Sequence, residues 1–101
     1  MAFGISRSEL ESWKQRAQAG KIAIITHYWL DERFPRCDSV TKVACADQEK
    51  LVQWGKVYGL KPEWIHKRGS LSHFDLFGDI QKRVLEHEGL DTQRYKFLQN
   101  Q

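Results

Sequence analysis

Residues 21–28, Lys-Ile-Ala-Ile-Ile-Thr-His-Tyr, form an apolar run that turns polar only at its C-terminal end. A continuous run of this kind, rather than a strict alternation, reads as a strand covered on both faces. Asp47 to Tyr58 reads as a helix. Asp47 is a good N-cap, Leu51, Trp54 and Tyr58 share one face with Val57 beside them, and Gly59 and Pro62 end it. Glu63 to Lys67 then reads as a second strand, with Trp64 and His66 on one face and Ile65 on the other. Strand, helix and strand in this order predict a βαβ unit with parallel strands and a right-handed crossover. The expected fold class is therefore α/β, a single domain over residues 1–101 with a short, mostly parallel sheet flanked by three to four helices.

On the N-terminal side, residues 6–19 carry a strong helix start. Ser6 and Glu9 have capping-box spacing, and Ile5 and Leu10 are placed as a hydrophobic staple. Leu10, Trp13 and Ala17 make the apolar stripe, and Gly20 supplies the stop. Residues 30–39 form a charged loop punctuated by Pro35, and Val40 to Cys45 is either a short strand or an extended approach. After a turn at 68–72, the segment His73-Phe74-Asp75-Leu76-Phe77, if extended, sets His73 and Asp75 opposite Phe74 and Leu76. Asp79 is placed to cap a helix over 80–88 with Ile80, Val84 and Leu85 inward, and Asp91 to start a short terminal helix carrying Tyr95 and Leu98. Trp13, Trp54 and Trp64 fit apolar stripes and are expected in the core.

The chain has 101 residues, of which 41% are hydrophobic and 29% charged, which argues against intrinsic disorder. No apolar run is longer than Ile22 to Ile25, which is far too short to span a membrane, so no membrane partner is expected. Two cysteines, Cys37 and Cys45, make no disulfide framework, and no signal peptide is recognised, so the expected location is the cytoplasm. They also lack the close paired spacing of a zinc site, and the phosphate-loop and dinucleotide fingerprints are missing. No metal or cofactor is expected. The formal charge of +3 permits an anionic partner without demanding nucleic acid.

If the two strands are parallel neighbours, their C-terminal ends meet at one edge, where ligands of open α/β sheets tend to bind. That edge would collect His27 and Tyr28 from the first strand, and His66, Lys67 and Arg68 from the second. The N-terminus of the 47–58 helix would lie there too, and the 30–39 loop would bring Arg33 and Arg36. Phosphate is the ligand this chemistry fits best. His73 and Asp75, two apart on one face, are the candidate catalytic pair, with His27 a second candidate acid–base group. Lys67, Arg68, Arg33, Tyr28 and His66 are the candidate ligand-binding residues.

Each has an ordinary structural reading. Asp75 would cap the next helix, His27 would be a core-edge histidine bonded to backbone, and His66 would pack with Trp64. Lys67, Arg68 and Arg33 would be solvated. His87 would complement a helix C-terminus, and Cys45 would be a small buried apolar residue.

Asp47, Leu51, Trp54-Gly55, Gly59-Leu60, Trp64 and His73-Phe74-Asp75 together resemble an uncharacterised family of small bacterial domains. The likeness covers roughly a third of the chain and rests mostly on structural positions. Lys50 stands where that pattern has Glu, Val52 where His is common, and Phe74 where it has Tyr, which removes a hydroxyl. The resemblance implies an α/β fold and draws attention to His73 and Asp75; it implies no activity.

The reading that follows is a protein of uncharacterised function with a phosphate- or nucleotide-ligand site, in its catalytic form a phosphoester hydrolase. The alternative is a non-catalytic module that binds nucleic acid, with Trp29 or Tyr28 as a stacking platform, or that binds protein, including a second copy of itself.

Overall fold

The computed structural model describes residues 6–28, 39–68 and 71–90, with Tyr28 and Arg68 described by backbone alone. The elements in chain order are α1 (Arg7–Gln18), β1 (Ala23–Tyr28), β2 (Ser39–Cys45), α2 (Gln48–Val57), a 3-10 turn (Pro62–Trp64), β3 (His66–Arg68), β4 (Leu71–Leu76) and α3 (Gly78–His87). Local signals place most of them. Ser6 Oγ accepts the Glu9 N–H at 3.0 Å, and Asp47 Oδ1 accepts the Lys50 N–H at 3.2 Å. Gly59 stops α2 in the left-handed region at φ 75°, and the Leu60 N–H returns to the Gly55 carbonyl at 2.9 Å.

The expected mostly parallel sheet is overturned. The four strands run in the order β1-β2-β4-β3, and every neighbouring pair is antiparallel. Two local features explain the difference. Val40 to Cys45 forms a full strand that pairs with β1 along its length, from Ala23 opposite Ala44 to Tyr28 opposite Ser39. The crossover helix α2 therefore leaves from β2, not from β1. It delivers the chain to β3, which has the same direction as β2, but β4 slots between the two with opposite direction. Pro62 opens a 3-10 turn through Trp64, so the strand expected over 63–67 is confined to His66–Arg68.

Period-two alternation divides the sheet into two faces. One carries Ile24, Val43, Cys45, Phe74 and Leu76, packed with Leu51 and Tyr58 from α2 and its cap, Leu60 and Ile65 from the connection, and Val84 and Leu85 from α3. Its polar members are satisfied: the Thr26 and Thr41 hydroxyls meet at 2.7 Å, and Gln81 Nε2 donates to Ser39 Oγ and Thr41 Oγ1. The other face carries Ala23, Ile25 and Ala44 beneath Trp13 and Ala17 of α1. Trp13 donates its indole N–H to the Ala23 carbonyl at 3.0 Å.

Three smaller expectations change. Trp64 is 51% exposed rather than core. Trp54 is only partly buried and donates to Glu88 Oε1 at 2.7 Å. Asp79 sits in the first turn of α3, with Phe77 at the cap position and no side-chain cap. His87 lies in the last turn of α3, as its ordinary reading expects, and its Nδ1 meets the Tyr58 hydroxyl at 2.7 Å. Cys45 is buried, as its ordinary reading expects. The Ile5–Leu10 staple, the 30–39 loop up to residue 38 and the terminal helix from Asp91 lie outside the described residues.

Gly55 lies where α2 presses on the sheet. A Cβ there would stand 2.8 Å from Phe74 Cζ and 2.9 Å from Cε2, and Phe74 is 1% exposed and cannot swing away. Overpacking of this kind costs about 1–3 kcal/mol, against about 1 kcal/mol gained in helix propensity. Gly55→Ala is therefore expected to lower the thermal midpoint by several degrees, measured by circular dichroism. An unchanged or raised midpoint would contradict this close approach.

Candidate functional site

The chemistry of β4 follows from its alternation. Phe74 and Leu76 enter the core beneath α2 and α3, so His73 and Asp75 share the opposite face. The register then selects their neighbours. His73 lies opposite Ala44 of β2 and His66 of β3, and Asp75 lies opposite Lys42 of β2. His27, opposite Val40, is on the same face of β1. α1 packs on the far end of this face, over Ala23, Ile25 and Ala44.

Asp75 joins two imidazoles. Its Oδ2 is 3.5 Å from His66 Nε2, and its Oδ1 is 3.6 Å from His73 Nε2. The two rings stack, with centroids 5.6 Å apart and planes 27° from parallel. At 3.6 Å the His73 contact is electrostatic rather than a formed hydrogen bond, and Oδ1 is buried with no hydrogen-bond partner. Burial pushes the Asp75 carboxyl upward. The His73 imidazole beside it, then Lys42 and His66, outweigh that effect and hold it below the ordinary carboxylate range. The two histidines differ in access: the His66 side chain is 56% exposed and that of His73 only 11%. A partly buried carboxylate thus stands at ion-pair distance from an exposed imidazole, an arrangement that supports proton transfer.

The cluster borders a cavity of about 1090 Å³ lined by His27, Lys42, His66 and Asp75 on the sheet side and by Trp64 and Arg83 on the other elements. Its existence follows from the shortness of β3. That strand pairs only as far as His66 opposite His73, so Phe74, Asp75 and Leu76 have no strand on their outer side among the described residues. All three line the cavity. Tyr58 lines it too, its phenol pushed up to about 12 by burial and by the Glu88 carboxylate, which keeps it a neutral donor at ordinary pH.

The structure therefore brings together His66, His73 and Asp75, with His27 on the same face and in the same cavity. It does not assemble the expected cationic edge. Lys67 pairs with Ser72 and falls on the face opposite His66 and Asp75. Arg68 pairs with Leu71, at the end of the sheet away from His27, because β3 runs against β4 while β1 and β4 share a direction. α2 begins at that distant end, where Lys50 Nζ donates to the Gly20 carbonyl, so its N-terminus does not face the cluster. Arg33 and the Tyr28 side chain lie outside the described residues. Among the described residues no group of three His, Cys, Asp or Glu is arranged to hold a metal.

Sequence reasoning missed Lys42, Arg83 and the exposure of Trp64. For Lys42 a signal was available: it is a lone charge inside the apolar run Val40 to Cys45 and shares a strand face with Val40 and Ala44. Arg83 and Trp64 gave no comparable cue.

No family model matches this chain, and no solved structure does. The "Uncharacterized protein YneQ" of Bacillus subtilis (strain 168) is 57% identical to it over 97 residues, covering 96% of this chain and 98% of that protein. This agrees with the resemblance to an uncharacterised bacterial family carried by Asp47 to Asp75. No helix among the described residues is long and apolar enough to cross a membrane.

The lowered Asp75 carboxyl makes a signed prediction. A group whose folded pKa lies below its unfolded value stabilises the fold above the unfolded value, and that contribution is lost as pH falls through the folded one. The stability gap between the wild type and Asp75→Asn, read from denaturant midpoints, is expected to be present just above the ordinary carboxylate range and to shrink as pH drops below it. A gap that is constant or widens as pH falls below that range would contradict the assignment.

Proposed function

We propose that this chain, which belongs to the same uncharacterised bacterial family as YneQ, binds a small phosphate ester in the cavity beside Asp75, with His66 as the proton-transfer group. The observation that carries this reading is the His66–Asp75–His73 cluster with Lys42 opposite the carboxylate. Asp75 stands at ion-pair distance from both rings and offsets positive charge that would otherwise stand alone on this face. Lys42 and Arg83 are the two lysine or arginine side chains lining the cavity among the described residues, and Arg83 already anchors itself by donating to the Tyr58 carbonyl at 2.7 Å. Glu63 and Asp79 also line it, so an anion would be held by directed contacts and not by a broad positive field. That distribution favours a small ligand over a polyanion, which needs a continuous basic stripe.

In the catalytic form of the reading, the reaction is hydrolysis of the ester. His66 accepts a proton from water, the water oxygen bonds to phosphorus, the phosphorus–oxygen ester bond breaks, and the leaving oxygen takes the proton back. Lys42 offsets charge on the non-bridging oxygens.

Calorimetric titration of the full chain with inorganic phosphate and phosphate monoesters at low salt is expected to give saturable binding, weakened about tenfold or more in Lys42→Ala, the loss of one charge-assisted contact. Turnover of p-nitrophenyl phosphate or its diester would fall about 10²–10⁴-fold in His66→Ala, while circular dichroism stays unchanged. No binding of any phosphate ester at millimolar concentration would remove the reading. Binding without turnover would remove its catalytic form.

A further inference from the structure

Trp64 is one of two large apolar side chains left exposed among the described residues, at 51%, and it lines the same cavity as His66, Asp75, Lys42 and Arg83. It is carried on the 3-10 turn that Pro62 fixes two residues before His66, so its position relative to the cluster is set by short, rigid backbone. Lys61 Nζ lies 5.7 Å from its ring centroid, a cation–π contact that restrains the indole while leaving half of it uncovered. Facing the same space is the outer edge of β4 from Phe74 to Leu76, where β3 has already ended. Backbone groups along a strand point alternately to its two sides, so those of β4 beyond His73 that point away from β2 face no strand among the described residues, and such groups in a concave site seek hydrogen bonds.

From these features we infer that the ligand is a nucleotide: a planar heteroaromatic base stacked on Trp64, its polar edge read by the β4 backbone, with its phosphate at Lys42 and His66. The inference deepens the phosphate reading and rests on it for the phosphate end only. A π-face and an open strand edge answer two properties that a nucleobase combines and a sugar phosphate lacks, namely a stacking plane and a rim of alternating donors and acceptors. The cavity, about 1090 Å³, lies just above the usual range of small-molecule sites and has room for base, sugar and phosphate together. Among the described residues the exposed indole also has no packing role that would account for its size, since the core beneath α2 and α3 closes without it.

The test is titration of the full chain with adenosine 5′-monophosphate, guanosine 5′-monophosphate, ribose 5-phosphate and adenosine, followed by calorimetry and by tryptophan fluorescence. At least one nucleoside monophosphate is expected to bind about tenfold or more tightly than ribose 5-phosphate, with quenching of the indole. Trp64→Ala should erase that advantage while leaving ribose 5-phosphate binding unchanged, and Trp64→Phe should keep most of it. The exposure of Trp64 makes both variants compatible with folding, which circular dichroism checks. Equal affinity for nucleotide and ribose 5-phosphate, or equal loss of both in Trp64→Ala, would overturn the nucleotide inference and leave the phosphate site standing. Adenosine binding without any phosphate contribution would support the stacking platform and overturn the phosphate reading. No binding of any of the four would overturn both.

Discussion

The arrangement depends on the register of β4 between β2 and β3. Phe74 and Leu76 are 1% and 3% exposed, packed with residues of α2 and α3. Fully burying side chains of this size is worth about 1.5–3 kcal/mol each. A slip of one residue would turn both toward the opposite face and drive His73 and Asp75 into the core. Apolar packing thus fixes where the polar residues stand. With Phe74 and Leu76 inward, His73 and Asp75 share the other face, where the register sets His73 opposite His66 and Asp75 opposite Lys42.

The consequence for Asp75 is electrostatic. It is a partly buried carboxylate with one oxygen that makes no hydrogen bond, a position that by itself favours the neutral acid. His73, Lys42 and His66 reverse that preference. The same three groups come from three different strands, so the charge state of Asp75 reports on the packing of β2, β4 and β3 against one another. The brevity of β3 completes the picture. Had it paired with β4 to Leu76, it would have covered the strand edge that now borders the cavity.

Much of the local structure was legible in the chain. Ser6, Asp47, Gly20 and Gly59 marked helix boundaries because capping chemistry is local and residue-specific. The pairing of His73 with Asp75 was legible from alternation alone. The topology was not, because Val40 to Cys45 is short and β-prone with no turn signal that declares its direction. Reading it as an optional approach left α2 attached to the wrong strand. The parallel βαβ reading then placed Lys67, Arg68 and a helix N-terminus beside His27, whereas antiparallel pairing sends them to the other end or the other face. His66 and His73 still came together, by cross-strand pairing of β3 with β4 and not by a shared strand terminus. Lys42 was overlooked for the same reason as its strand, although a charge inside an apolar run is itself a cue to a partner.

The central claim is that one carboxylate holds two stacked imidazoles on adjacent antiparallel strands. Nuclear Overhauser contacts between the ring protons of His66 and His73, in uniformly labelled protein at neutral pH, test it most directly. The account predicts clear cross-peaks between the two rings, whose centroids are 5.6 Å apart, together with cross-strand contacts that set His66 opposite His73. Ring protons with no mutual contact, or strand contacts in a register shifted by one residue, would contradict it.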